Sequence, residues 1–204
     1  MMFKLWLAFA TVAGMAATVA IAWFFCRQLM PLARAIDRLG EALGVVASWL
    51  VLLACLVSAG NATVRYLISS SSNAWLELQW YMFAGMVLLG SAYTLKVNEH
   101  VRVDLFYGAI SDRARHWIDL VGGAVFLMPM CLVMIWFTWP WFVQSWTLNE
   151  ASNNAGGLVR WPVILLLPVG FVLILLQGFS EMIKRAAALR GFHQHEYAYE
   201  KPLQ

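Results

Sequence analysis

Five apolar runs, at roughly 5–25, 42–66, 75–95, 117–146 and 161–183, take up most of this 204-residue chain. Each reaches or exceeds the ~20 residues a helix needs to cross the ~30 Å hydrocarbon layer of a bilayer. Few folds can use such runs. Backbone N–H and C=O groups in lipid must be satisfied within their own segment, so each run is expected to be a helix. The sequence is 62% apolar and only 12% charged, about half the charge of an average soluble domain. An all-α integral membrane protein is the expected fold class, with no repeat, no low-complexity tract and no room for a soluble domain.

The basic residues orient the runs. Arg27, Arg34 and Arg38 precede the second; Lys96, Arg102, Arg113 and Arg115 lie between the third and fourth; Lys184, Arg185, Arg190 and Lys201 follow the fifth. These eleven of the 14 Lys and Arg share one side if the last four runs alternate across the membrane, and that side is the cytoplasm. The carboxyl terminus is then cytoplasmic, and 69–73 and 147–160 lie outside. Trp136, Trp139, Trp141 and Trp146 at the outer end of the fourth run, with Trp161 and Trp75 opening the fifth and third, fit an interfacial belt. Pro129 is expected to kink the fourth run. Trp161-Pro162 is a good helix start, since proline at the first turn lacks only an N–H that would be orphaned anyway.

The first run resembles a signal peptide in its charged start, MMFK, but exceeds the ~7–15 residues of a signal core. It is expected to be retained, with its amino terminus outside. Residues 30–41 then place Arg34, Arg38 and Glu41 on one helical side and Leu32, Ile36 and Leu39 on another, as in a short helix lying along the inner surface; the alternative is a plain extension of the second run's helix.

Chemistry is sparse. Cys26, Cys55 and Cys131 are distant from one another and set in apolar surroundings, so neither a disulfide framework nor a zinc site is indicated. His100 and His116 fall in the inner break and His193 and His195 in the tail; none stands inside a run where a haem would need it. The expectation is no catalytic residue, no metal, no cofactor and no nucleic-acid partner. Near the outer surface Asn61 and Arg65 are helix neighbours, and Glu77 is expected to return and pair with Arg65. Glu181 is expected to pair beside Lys184 and Arg185. In the inner break, KVNEHVRVDL (96–105) sets Lys96, Glu99, His100, Arg102 and Asp104 together; Glu99 and Arg102 have the i,i+3 spacing of a helix pair. Ser111-Asp112 is expected to cap the next helix.

Three stretches carry a family resemblance: WLELQWYMFAGMVLLGSAYTLKVNEHVRVDLFY (75–107), GGLVRWPVILLLPVGF (156–171) and LLQGFSEMIKR (175–185). In order and spacing the chain resembles, over about 32–190, the small membrane subunit (DctQ type) of tripartite ATP-independent periplasmic (TRAP) transporters. The resemblance implies a four-helix transmembrane core at 30–190, an additional N-terminal apolar helix at 1–29 that shorter members lack, and a cytoplasmic tail at 191–204. It further implies a non-enzymatic scaffold in the bacterial inner membrane. Its partners would be a large (DctM-type) membrane subunit carrying the substrate and sodium sites, and a periplasmic protein delivering an organic acid. Candidate interface or structural residues are Arg65, Glu77, Trp80, Lys96, Glu99, His100, Arg102, Asp104, Arg160 and Trp161. The competing classes are a membrane anchor of a respiratory oxidoreductase, which the lack of histidines within the runs opposes, and a stand-alone small transporter, which the near absence of ionisable groups within them opposes.

Overall fold

The computed structural model describes residues 2–69, 72–98 and 110–192, with side chains from Gly14 onward. Its elements are α1 (Met2–Ile68), α2 (Asn73–Val97), α3 (Asp112–Gly122), a π-helical turn (Gly123–Leu127), α4 (Met128–Thr147) and α5 (Trp161–Leu189). Among the described residues there is no strand, only an isolated antiparallel bridge between Ala151 and Val159. Three helical stretches are long and apolar enough to cross a membrane: Gly14–Ile68, Asp112–Thr147 and Trp161–Leu189. The run at 75–95 forms the 25-residue α2, whose Glu77 and Gln79 dilute its apolar character.

The first two runs do not form separate helices with a surface helix between them. One helix of 67 residues passes through both, with Pro31 inside it. A proline removes one ladder hydrogen bond, but the helix is held there by packing. Ala22, Cys26, Ala33 and Ile36 are buried along one face at helical spacing.

Two compact units can be described. The first combines α1 up to Arg38, the end of α2, α3 with the π-helical turn, and α5 from Leu175. Its core is Ala22, Cys26 and Ala33 of α1 against Met182, Ile183, Ala186 and Ala187 of α5, with Leu120, Ala124 and Met128. Such small residues let helix backbones approach closely in lipid. Trp23 stacks on Trp117 with ring centroids 5.2 Å apart. Ser111 caps α3 by accepting from the Ala114 N–H at 3.4 Å. The expected distortion near Pro129 takes the form of the π turn just before it, where the Met128 N–H reaches back five residues to Gly123. Proline cannot donate to the carbonyl four residues earlier, and a widened turn is a common way to absorb that.

The second unit combines α1 from Leu39, α2 to Tyr93, α4 from Leu132 and α5 up to Ile174. Here α5 passes so close to α2 that a Cβ at Gly170 would lie 2.8 Å from the Leu88 Cβ and 3.2 Å from its carbonyl oxygen. A chain of rings, Trp139, Phe142, Trp146 and Trp161, has successive centroids 5.7, 5.5 and 5.1 Å apart. Trp136, Trp139, Trp141 and Trp146 are all exposed, as belt residues are.

Candidate functional site

Within the second unit, the connection from α4 to α5 is folded around one carboxylate. Glu77, in the first turns of α2, accepts from the Ser152 hydroxyl, from Asn154 Nδ2 at 2.8 Å and from the Leu158 N–H at 2.7 Å. The loop adds its own ties: Ser152 N–H to Leu158 O at 2.9 Å and Arg160 N–H to Glu150 O at 2.8 Å. Arg160 also pairs with Glu150 at 2.8 Å. Tyr81 donates to the Val159 carbonyl at 3.1 Å, and Asn73 to that of Ala155 at 3.0 Å. A short polar loop with its backbone groups satisfied by one helix is a built surface rather than a slack connection.

Arg65 is not part of this arrangement. It is exposed on α1, beside Ser58, Asn61, Tyr66 and Gln79, and the expected Arg65–Glu77 pair is not formed. The loop's donors satisfy the carboxylate instead, and they lie too far along the chain from Glu77 for sequence spacing to show the pairing. Trp80 points outward, 61% exposed. Trp161 begins α5 with Pro162 behind it and packs on Trp146.

The first unit holds a second cluster, which sequence reasoning only half found. Glu181 pairs with Lys184 at 2.5 Å, as expected. Lys184 also reaches Asp37 of α1, at 3.1 Å. Gln177 bridges both carboxylates, donating to Asp37 at 2.8 Å and Glu181 at 3.2 Å, and Ser180 donates to Asp37 at 2.9 Å. Asp37 gave no signal beyond being an acidic residue one position from the buried face of α1. Nearby in the same unit, Arg185 pairs with Asp119 at 3.2 Å and lies 3.1 Å from His116 Nδ1. Arg115 pairs with Asp112 at 2.7 Å. Lys96 is buried in the last turn of α2, 3% exposed. Glu99, His100, Arg102 and Asp104 lie outside the described residues.

Both clusters tie elements together; neither arranges a nucleophile, an acid–base pair or a ligand set. Among the described residues no group of three or more His, Cys, Asp or Glu is placed to hold a metal ion.

Residues 53–188 match the family model of the DctQ component of tripartite ATP-independent periplasmic transporters. The chain belongs to this family. It is thus a DctQ-type TRAP transporter subunit and a multi-pass membrane protein. The C4-dicarboxylate TRAP transporter small permease protein DctQ of Vibrio cholerae serotype O1 (strain ATCC 39315 / El Tor Inaba N16961) is 30% identical over 100 residues, which are 48% of this chain and 43% of that protein. The match therefore spans less than half the length of that curated relative. No solved structure matches the chain. The family match includes Glu77, its loop and the Lys184 end of α5, but not Asp37 or the preceding part of α1.

Proposed function

We propose that this DctQ-type chain is the scaffold subunit of a sodium-driven TRAP transporter in the bacterial inner membrane. A periplasmic binding protein delivers an organic acid to a large DctM-type subunit, and the present chain forms the fixed wall beside it. The supporting observation is how the chain disposes of its charges. Asp37, Glu77, Glu150, Arg160, Lys184 and Arg185 are used internally, while large side chains such as Trp49, Leu56, Val87 and Phe126 stand exposed. A path for an anionic substrate would need polar groups lining it within the membrane. An apolar exterior with these six charges matched internally suits lipid and a partner helix surface instead. The carboxyl terminus and the inner break at 98–116 are assigned to the cytoplasm, and Glu99 and Arg102 to the subunit contact.

Reconstitution tests this. Proteoliposomes holding the large subunit and this chain, supplied with binding protein, organic acid and a sodium gradient, should accumulate the acid. Omitting any one component should abolish uptake. Uptake by this chain alone, or undiminished uptake by the large subunit without it, would defeat the proposal.

A further inference from the structure

Lying outside the family match, the stretch of α1 from Ile21 to Leu39 divides its circumference into three faces. Ala22, Cys26, Ala33 and Ile36 are buried against the protein. That face is fixed by the Asp37–Lys184 pair and by Arg190, which donates to the Trp23 carbonyl at 2.6 Å and covers the Trp23 ring at 6.0 Å. A second face exposes Ile21, Phe25, Leu32 and Leu39, with Phe24, 71% exposed, beside it. The third carries Arg27, Arg34 and Arg38, all exposed. Their spacings of seven and four residues bring them onto one side of a helix, spread over about 16 Å of its axis. Among the described residues none of the three has an ion-pair partner, whereas Asp37, Asp112, Arg115, Asp119, Glu181, Lys184 and Arg185 of the same unit are engaged; Arg113 on α3 is exposed too, but it stands apart from this row.

We infer that this face of α1 is a binding site for anionic phospholipid. Three guanidinium groups in line match a row of headgroup phosphates, which arginine recognises by paired N–H donors. The adjoining Phe and Leu side chains suit the acyl region below the headgroups, as in helices that lie at the membrane interface. Each basic residue near such a surface contributes attraction that falls away with salt. The chain's continuity supports this occupant over a protein one, because Arg38 stands only four residues before the apolar run that begins near residue 42.

Lipid retention by the purified full-length chain tests the inference, independently of transport. In mild detergent, native mass spectrometry should show phosphatidylglycerol retained in preference to phosphatidylcholine, with the preference declining as ionic strength rises. The triple variant Arg27→Gln, Arg34→Gln, Arg38→Gln should bind phosphatidylglycerol about tenfold or more weakly, with phosphatidylcholine unaffected. The triple Arg→Lys variant should keep most of the preference, and Arg113→Gln on α3 should keep all of it. Equal retention of the two lipids by the unaltered chain, or a phosphatidylglycerol preference indifferent to salt, would overturn the inference even if the triple Gln variant failed to fold. So would a folded triple Gln variant that binds like the parent.

Discussion

Asp37 and Lys184 are separated by most of the chain, yet their ion pair is the main polar link between α1 and α5 in the first unit. Because Lys184 answers two carboxylates, Asp37 and Glu181, its loss and the loss of Asp37 are not equivalent. Removing one member of a buried pair costs about 3–5 kcal/mol, mostly from the charge left behind. Lys184→Met would leave two carboxylates facing each other across Gln177, whereas Asp37→Leu would leave Lys184 still paired with Glu181. Lys184→Met is therefore expected to lower the melting temperature in detergent clearly more than Asp37→Leu. Equal losses would mean that the carboxylates do not share the lysine. Glu77 gives a second expectation at this scale. Glu77→Ala removes the acceptor for three loop donors, so limited proteolysis between 148 and 160 should accelerate severalfold, with Glu77→Gln intermediate; unchanged cleavage would show the loop to be held by its own hydrogen bonds. Glu77 was legible in the sequence as a structural residue, but its partners were not. Nothing local distinguishes Ser152, Asn154 and the Leu158 N–H from other loop donors, so Arg65, the nearest opposite charge across a short turn, stood in for them.

The helices were legible where apolar length and punctuation coincide. Trp161-Pro162 opens α5 and Ser111 opens α3 as their residue types require. Between the first two runs, the alternative of a plain helical extension holds rather than the favoured surface helix, which rested on reading charges as punctuation. Arg27, Arg34, Asp37 and Arg38 interrupt the hydropathy without interrupting the helix, since the buried face keeps its period through them. Helix contacts follow the same logic of periodicity plus small residues. A methyl group at Gly170 would meet the Leu88 backbone carbonyl, which cannot turn away, while one at Gly122 would meet nothing within 4 Å. Gly170→Ala should thus separate α2 from α5 and lower the melting temperature. Gly122→Ala should be neutral or raise it, alanine being favoured over glycine in a helix by up to about 1 kcal/mol. A Gly170→Ala chain as stable as the parent would mean that the α2–α5 approach is looser than it stands here.

At the scale of the whole molecule, the continuity of α1 changes the expected topology at its amino end. The charge bias would place Arg27, Arg34 and Arg38 inside, and the sequence alone allowed the preceding run to cross back, putting residue 1 outside. Among the described residues no loop separates the first run from the second, so α1 offers no connection at which the chain would reverse and cross back. If 42–66 makes a crossing, the part of α1 before it is expected to stay on the cytoplasmic side. A fluorescent protein fused ahead of α1, of a kind that matures only in the cytoplasm, should therefore be bright. In a background lacking Cys26, Cys55 and Cys131, a cysteine at Asn153 should react with an impermeant thiol reagent added outside, and one at Asp112 should not. A dark amino-terminal fusion together with that same labelling pattern would require a turn between the two halves of α1, and the unbroken helix would have to be given up in favour of a fifth crossing. Labelling at 112 but not at 153 would invert the chain and remove the basis for a cytoplasmic lipid site along Arg27, Arg34 and Arg38.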